Sequence, residues 1–329
     1  MLSPSVAVFS RAFLRDCVRI GSVAERLAES NSCKHSARQL PGIRGPRGWL
    51  RGSGIGKRPV HSASASAPRP ASVASERQVE SERGSAEFLR YQLLSIVPYN
   101  HNTKALRLSV MPAQRLRLQH AALSISAPFH FSLRLLLGDG SFVSRPYTPV
   151  FFDVQSGELQ LLIKRYDDGS LTPLIHSQFT TGTVVELSGP LPGAFTYTSL
   201  GGSLALFGAG TGITPIVQIV QAAMRNPHHA QACYVYSAHR TPDDVLCHAE
   251  LHSLMQLFDQ RLRVCHFVEA GEPPAGGFVG RISQNVLAAT LRRPEPADRA
   301  VVCGPPLFNS TLLPILRQHG YTEEQILVC

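Results

Sequence analysis

A glycine-rich turn near the middle of the chain constrains the fold more than any other segment. The apolar run Leu204–Phe207 precedes the turn Gly208–Pro215, of sequence GAGTGITP, and an apolar helical pattern follows it to Met224. A short buried strand, a glycine turn and a helix in this order are the context in which parallel sheets bind nucleotides. The glycine spacing is GxGxG, not the GxGxxG of the dinucleotide fingerprint, so the spacing alone leaves open a strand-to-helix turn that binds nothing.

Strand and helix patterns alternate after this turn. Such alternation predicts a doubly wound α/β domain with a parallel sheet, which we place at residues 198–329. Its predicted elements are a helix at Pro215–Met224, a strand at Ala232–Ser237, a helix at Asp243–Phe258, strands at Arg263–Phe267 and Ala300–Cys303, and a last helix from Phe308.

Short strand patterns with turn residues between them occupy the region before the turn. Many short strands without intervening helices are typical of an antiparallel β-barrel, which we place at residues 86–197. The predicted strands are Tyr91–Val97, Ala105–Val110, Leu133–Leu137, Ser141–Ser144, Leu159–Lys164 and Val184–Leu187.

Residues 1–85 form a basic leader and linker that differs from both domains. They carry 14 Lys and Arg against 6 Asp and Glu, whereas residues 86–329 carry 18 against 17. Residues 1–29 have the arginine-rich amphipathic pattern of a mitochondrial presequence, and the alternative is an extension of a cytoplasmic protein. Residues 30–85 are rich in Ser, Ala, Gly and Pro, which predicts a disordered linker. Within it, Gly52–Lys57 lacks the flanking residues of a phosphate loop.

Composition excludes several classes of function. The near-neutral charge of residues 86–329 argues against nucleic-acid binding by the folded part. Seven cysteines without a CxxC pair favour an intracellular reducing compartment over a disulfide framework. The sequence contains no run of 18 apolar residues, so no transmembrane helix is predicted. His248 and His252 lie one helical turn apart, but Ala249 occupies the position of a zinc protease's glutamate, and no metal site is predicted.

Two segments of the predicted barrel carry ligand-binding chemistry. The first is Arg145–Pro149, of sequence RPYTP, in which Arg145 offers a planar fork suited to a diphosphate and Tyr147 offers an aromatic face. Pro146 and Pro149 hold the segment extended. Its alternative interpretation is a proline-bounded loop between strands.

The second segment runs from Lys164 to Thr172 and ends where a helix is predicted to begin. A helix N-terminus presents free amides that suit a phosphate, and Gly169 permits a close backbone approach. The alternative is a plain N-cap at Ser170 or Thr172.

A third pattern, Cys303–Pro306 of sequence CGPP, follows a predicted strand in the second domain. Its glycine and prolines favour a sharp turn of the chain where the strand ends. Cys303 is either a site residue or a small buried side chain, which free cysteine often is.

The order of these motifs resembles the ferredoxin-NADP reductase superfamily, and within it the NADH-cytochrome b5 reductase branch, over about residues 90–329. The resemblance implies an FAD-binding barrel, an NAD(P)-binding α/β domain, and a reductase that passes a hydride from NADH to the flavin and then single electrons to a haem protein such as cytochrome b5. The alternative is a scaffold of the same fold without flavin.

The resemblance also implies roles for individual residues. Arg145 would pair with the FAD diphosphate, Tyr147 would lie against the flavin or its ribityl chain, and Thr148 would bond near the flavin ring. Thr214 would lie at the flavin edge, and Cys303 would orient the nicotinamide, so these two are the predicted catalytic residues. The predicted cofactor-binding residues are Arg145, Pro146, Tyr147, Thr148, Lys164, Tyr166, Gly169, Ser170, Leu171, Thr172, Gly208, Gly210, Thr211, Gly212, Ile213, Thr214, Pro215, Arg240, Gly304 and Pro305.

The choice between NADH and NADPH falls on the corner after strand Cys233–Ser237. Asp243 could bond a ribose 2′-hydroxyl and Arg240 could hold a 2′-phosphate, so these residues leave the choice open. The resemblance implies NADH, and Arg240 leaves NADPH as the alternative.

The chain departs from the family pattern at three places. Leu118 precedes Gln119 and His120 where relatives have glycine, residues 121–132 form an apparent insertion, and Cys329 stands where an aromatic residue is usual.

Overall fold

The structure is a computed structural model that describes residues 87–197, 202–226, 228–229, 231–258 and 261–329. These residues belong to one compact unit. The predicted presequence at 1–29, the linker at 30–85 with Gly52–Lys57, and the start of each predicted domain lie outside the described residues.

The described part of the chain contains thirteen strands and six α-helices. The strands are β1 Phe88–Pro98, β2 Thr103–Val110, β3 Phe129–Leu136, β4 Phe142–Tyr147, β5 Phe151–Asp153, β6 Glu158–Lys164, β7 Val184–Pro192, β8 Leu204–Ala209, β9 Cys233–His239, β10 Leu262–Val268, β11 Phe278–Val279, β12 Arg299–Cys303 and β13 Ile326–Val328. The helices are α1 Arg115–Ala122, α2 Thr172–Gln178, α3 Ile213–Arg225, α4 His248–Leu257, α5 Gln284–Thr290 and α6 Pro306–His319.

The first seven strands form one antiparallel sheet in the order β4-β3-β7-β1-β2-β6-β5. The sheet is rolled, because strands far apart in this order meet across its interior. The ring of Phe152 on β5 lies 5.6 Å from that of Phe129 and 5.3 Å from that of Phe131, both on β3. Inward-facing residues such as Leu106, Leu108 and Leu161 are fully buried in the enclosed core. The predicted antiparallel barrel is confirmed.

The other six strands form a parallel sheet in the order β11-β10-β9-β8-β12-β13. The central strand β8 is buried along its whole length, as expected of a sheet covered on both faces. Leu204 and Leu206 pack with α3 and α4, whereas Ala205 and Phe207 pack with α5 and α6. The predicted doubly wound domain is therefore confirmed.

Two predicted boundaries are wrong. The helix predicted at Asp243–Phe258 begins only at His248, because Pro242–Asp244 forms a 3₁₀ turn and Cys247 takes a left-handed conformation with φ 57°. The last helix begins at Pro306, two residues before the predicted start at Phe308. Proline at the first helical position lacks only an amide that would have no helical partner there.

The segment 121–132, predicted to be an insertion, is only partly one. Strand β3 begins at Phe129, four residues before the predicted Leu133, so part of the segment belongs to the barrel. The helix α1 just before it was not predicted, because its alternating Arg and Leu residues have a strand-like period. Leu118 and Ala122, four residues apart, are its buried positions, and they attach it to the barrel. No helix in the described ranges has both the length and the apolar character to span a bilayer.

Candidate flavin and nucleotide site

The glycine turn lies at the carboxyl end of β8 and is shaped by its backbone. Gly210 has φ 55°, a left-handed conformation that favours glycine, and a Cβ built on it would meet no atom within 4 Å. Its outer side is therefore open. The turn leads directly into α3, whose first residue is Ile213. An open backbone turn at the start of a thirteen-residue helix suits a diphosphate.

The CGPP segment closes the other side of this turn. A Cβ built on Gly212 would lie 2.2 Å from the carbonyl oxygen of Cys303 and 3.0 Å from the Cα of Gly304. A Cβ on Gly304 would in turn lie 2.9 Å from Ala209 Cβ and 2.6 Å from the ring of Phe308. The two predicted nucleotide motifs are thus in backbone contact, and only glycine fits at these positions.

The other predicted residues of the turn are mostly buried. Thr214 is 5% exposed, and its hydroxyl donates to the carbonyl of Thr211 at 3.0 Å. Ile213 and Pro215 are buried, so only their backbone is available to a ligand. Gly208 packs against the start of α3, where a Cβ would lie 2.9 Å from Ile213 Cα. Pro305 is exposed beside the turn.

Cys303 ends strand β12 and contacts a residue that the sequence analysis left outside the site. Val302 and Val328 are register partners in the parallel pair β12–β13, and the amide of Cys329 donates to Val302 O at 3.0 Å. The interaction with the neighbouring Cys329 thiol, together with burial, raises the pKa of Cys303 far above its ordinary value. The same interaction lowers the pKa of Cys329.

The RPYTP segment forms the end of β4 and leaves most of its side chains accessible. Arg145 and Pro146 are exposed, and Tyr147 and Thr148 are half-buried. Arg145 donates to the carbonyl of Ser144 at 2.8 Å, a contact within its own strand that does not bury the guanidinium. Burial raises the pKa of Tyr147, and the charge of Arg145 acts in the opposite direction.

The segment from Lys164 to Thr172 meets the RPYTP segment through its tyrosine. Tyr166 is 47% exposed and close enough to Tyr147 to raise its pKa. The hydroxyl of Thr172 accepts from the Tyr166 amide at 3.0 Å and so fixes the loop rather than facing a ligand. Gly169 is half-buried within this loop, Ser170 is exposed, and Leu171 is 2% exposed in the barrel core.

Lys164 contacts the nucleotide domain. Its ammonium lies 2.8 Å from a carboxylate oxygen of Asp244, which also accepts from Asn102 Nδ2 at 3.1 Å. Burial alone would raise the pKa of Asp244, but hydrogen bonds from Lys164, Asn102 and Thr241 outweigh it and hold the pKa well below its ordinary value. The charge of Lys164 is thus committed to an ion pair between the domains.

Gln218 joins the two halves of the candidate site, and the sequence analysis missed it. Its amide nitrogen donates to Pro149 O at 2.9 Å, and its amide oxygen accepts from the Phe129 amide at 2.9 Å. Gln218 lies one helical turn after Thr214 on α3, and Pro149 lies two residues after Tyr147. A glutamine among the apolar residues of α3 was the available signal, because a polar side chain on a buried face needs partners.

An apolar cluster reinforces this junction. Val150 and Leu162 from the barrel pack in one buried cluster with Ile213, Ile216 and Val217 of α3. The predicted flavin residues and the glycine turn are therefore held on one continuous body.

The corner that governs coenzyme choice is exposed. Arg240 follows β9 and Asp243 lies on the 3₁₀ turn beyond it, and both side chains are accessible. His248 and His252 are also exposed, with a hydrogen bond of 3.0 Å between His248 and His266. In the ranges that the structure describes, no group of three or more His, Cys, Asp or Glu residues is arranged to hold a metal ion.

The residues present fit both cofactors. A half-buried tyrosine beside an exposed guanidinium suits the ring and diphosphate of a flavin nucleotide. The open glycine turn and its helix suit the diphosphate of a nicotinamide nucleotide.

Comparisons with known proteins agree with this arrangement. The oxidoreductase FAD-binding domain pattern matches residues 91–197, and the oxidoreductase NAD-binding domain pattern matches residues 206–312. NADH-cytochrome b5 reductase 1 of Dictyostelium discoideum is 30% identical over 76% of this chain and 84% of its own length. NADH-cytochrome b5 reductase 2-A of Vanderwaltozyma polyspora is 34% identical over 57% of this chain and 67% of its own.

Solved structures of similar fold include the cytochrome b5 reductase domain of Ulva prolifera nitrate reductase. That structure has a TM-score of 0.64 and 22% identity, and the match covers 74% of this chain and 97% of the domain. The CS-b5R domains of human Ncb5or give a TM-score of 0.63 at 24% identity, over 75% of this chain and 71% of that one. At these identities the structures support the fold alone. Together with the sequence relatives and the two matched domains, they establish that the chain belongs to the NADH-cytochrome b5 reductase family of FAD- and NAD-binding oxidoreductases.

Proposed function

We propose that this protein is an FAD-dependent reductase that oxidises NADH and delivers electrons singly to a haem protein, with cytochrome b5 as the first acceptor to test. The observation that carries the proposal is the junction at Gln218. Its bond to Pro149 holds the end of the RPYTP segment against α3, the helix that carries Thr214 and follows the glycine turn. A hydride donor and a hydride acceptor bound to these two elements would be held on adjoining parts of one body.

Bound FAD supplies the redox chemistry, because it accepts a hydride from NADH and can release the electrons one at a time. The residues of the chain bind the two cofactors and orient them. Arg145 offers its exposed guanidinium to the diphosphate, and Tyr147 offers an aromatic face to the flavin. The open turn at Gly210 holds the coenzyme diphosphate.

Thr214 and Cys303 lie at the inner end of the coenzyme site. The Thr214 hydroxyl is fixed by Thr211, and the Cys303 carbonyl is fixed against Gly212, so both present defined surfaces to the nicotinamide. While Cys329 is reduced, the raised pKa of Cys303 keeps its thiol protonated at neutral pH, which fits a group that orients the coenzyme.

Anaerobic titration of the purified full chain tests the proposal. We expect a yellow protein whose flavin absorbance is bleached by NADH and restored by oxidised cytochrome b5. A protein that binds no added FAD contradicts the proposal and favours the flavin-free scaffold. Thermal melting with FAD distinguishes the reductase from the flavin-free scaffold. A ligand at 100 times its Kd stabilises the folded protein that binds it by about 2.7 kcal/mol.

The coenzyme preference is tested in the same assay with NADPH in place of NADH. We expect NADH to be preferred, because Asp243 is available to a ribose 2′-hydroxyl. Arg240→Ala should lower any residual rate with NADPH and leave the rate with NADH unchanged. A larger loss with NADH would show that Arg240 serves a different part of the coenzyme.

A further inference from the structure

Cys303 and Cys329 are neighbours on adjacent parallel strands at the inner end of the nucleotide site. Their preceding residues, Val302 and Val328, are register partners, so the two cysteines are the next pair in the ladder. Adjacent strands lie about 4.8 Å apart. That spacing is inside the range of about 4.4–6.8 Å between the Cα atoms of disulfide-bonded cysteines. Side chains at paired positions point to the same face, and the amide of Cys329 donates to Val302 O at 3.0 Å, which continues the ladder to this pair.

The two thiols differ in exposure and in acidity. Cys329 is exposed and Cys303 is half-buried, whereas Cys233 and Cys247 are buried in the core. The interaction between the two thiols lowers the pKa of Cys329 and raises that of Cys303. An accessible thiol with a lowered pKa beside a second thiol is the arrangement of an attacking and a resolving cysteine.

We propose that Cys303 and Cys329 form a redox-active pair that hydrogen peroxide closes to a disulfide, and that closure blocks use of the coenzyme. The second part rests on the proposed function, because it places the nicotinamide beside Cys303.

The reaction balances with peroxide as the oxidant. The Cys329 sulfur attacks one peroxide oxygen, the O–O bond breaks, and the departing hydroxide takes up the thiol proton as water. The Cys303 sulfur then attacks the sulfenic sulfur of Cys329, the S–O bond breaks, and a second water leaves with the Cys303 proton. Two electrons pass from the two thiols to one peroxide molecule.

Closure would alter the coenzyme site at close range. The carbonyl of Cys303 is the group that a Cβ on Gly212 would strike, so the cysteine and the glycine turn are in direct contact. A disulfide removes the Cys303 thiol from the nicotinamide face and fixes the residue to β13.

Peptide mapping of the full chain tests bond formation independently of activity. Trypsin cuts after Arg299 and Arg317, so Cys303 lies in peptide 300–317 and Cys329 in peptide 318–329. After brief peroxide treatment we expect these two peptides to be recovered joined, and to separate on reduction with dithiothreitol. Cys265→Ser, which removes a half-buried thiol elsewhere in the sheet, should give the same joined pair. Cys329→Ser should not.

Recovery of both peptides with free, alkylatable thiols after peroxide would overturn the proposal, and so would joining of either peptide to another cysteine. The coenzyme effect is measured on the flavin-loaded protein. Peroxide should abolish NADH-dependent bleaching in the wild type, dithiothreitol should restore it, and Cys329→Ser should keep its untreated rate after peroxide. Unchanged bleaching in a protein with the mapped disulfide would overturn the second part. Failure of the untreated protein to bind FAD would overturn the proposed function, and the peptide result would still be readable.

Discussion

The two predicted ligand sites differ in what they present to a ligand. On the flavin side, the predicted ligand groups are exposed or half-buried side chains at the end of β4, such as Arg145 and Tyr147. On the nucleotide side, the predicted ligand surface is backbone, and Gly212 and Gly304 pack against other residues too closely for a Cβ. Substitution on the flavin side should therefore remove binding and leave the fold, whereas substitution on the nucleotide side should disturb both.

The largest effect is expected where the two sides are tied together. Asp244→Asn removes the carboxylate that pairs with Lys164, and both side chains are largely buried. Removing one partner of a buried pair typically destabilises a protein by about 3–5 kcal/mol. Urea unfolding measures the change.

Asp167→Asn is the matched control for that experiment. Asp167 pairs with Arg165, the residue next to Lys164, but both side chains are exposed. Exposed pairs contribute about 0–1 kcal/mol, so this variant should unfold like the wild type. Equal losses in the two variants would show that the ion pair is not what joins the two sides.

Gly212→Ala should combine a loss of stability with a loss of function. The new Cβ would need the backbone of Cys303 to move, and overpacking of this kind costs about 1–3 kcal/mol. A displacement near 1 Å at a reaction site lowers rates by about 100-fold. Stopped-flow bleaching of the flavin by NADH measures the rate. Gly138→Ala, where a Cβ meets nothing within 4 Å, should leave rate and stability unchanged. A normal rate in Gly212→Ala would contradict the assignment of this turn.

Arg145→Ala should affect FAD and spare the fold. Because the guanidinium is exposed, the free energy of unfolding of the flavin-free protein should change by less than about 0.5 kcal/mol. Loss of a hydrogen bond to a charged group costs about 1.5–3 kcal/mol, which corresponds to about 10- to 150-fold in the Kd for FAD.

Arg107→Ala is the control on the same sheet, because that arginine is paired with Glu158 rather than free for a ligand. Fluorescence titration with FAD compares the two variants. A loss of FAD affinity in Arg107→Ala as large as in Arg145→Ala would show a general effect of charge.

A pH dependence of stability is also expected from the nucleotide side. Burial lowers the pKa of His239 to about 4, with His266 acting in the same direction and Asp244 opposing it. Burial likewise lowers the pKa of His266 to about 4, with His248 and His252 adding to it. In the unfolded chain each histidine has a pKa near 6.5 and is protonated below that pH. In the folded protein both histidines stay neutral until the pH approaches 4. Stability should therefore fall as pH drops from about 6.5 to about 4, by at most about 1.4 kcal/mol per unit for each histidine.

Thermal melting of His239→Gln across that range tests the assignment. The variant should show a flatter dependence than the wild type, since one of the two buried groups no longer titrates. His120→Gln, at an exposed position on α1, should keep the full dependence. A wild-type slope of opposite sign would mean that these histidines are charged in the folded protein.

The sequence predicted the fold well where period and turn chemistry agree. The strands of the barrel and the β8–turn–α3 unit lie at or within a few residues of their predicted positions, because alternation, buried apolar runs and glycines all indicate the same elements there. Helix α1 was missed since its Arg-Leu alternation has a strand-like period, and tertiary contacts at Leu118 decide its conformation. The helix before Phe258 was extended too far because nothing local to the sequence signals the left-handed Cys247.

The candidate site was only partly predictable. Motifs located Arg145, the glycine turn and Cys303, since their chemistry is carried by local residue types. The partners that join these motifs are far away in sequence, and no local pattern connects Lys164 to Asp244, Gln218 to Pro149, or Cys303 to Cys329. Leu171 and Ile213 were included by position in a motif, whereas their side chains lie in the core.

The apolar cluster that runs from Val150 and Leu162 into α3 has a consequence for how the molecule can be divided. Cutting the chain between the barrel and the parallel sheet would leave a solvent-exposed apolar surface on each fragment. Exposed apolar surfaces of that kind promote aggregation. The two halves should therefore melt in a single calorimetric transition, and neither should be recovered alone as a soluble, folded fragment.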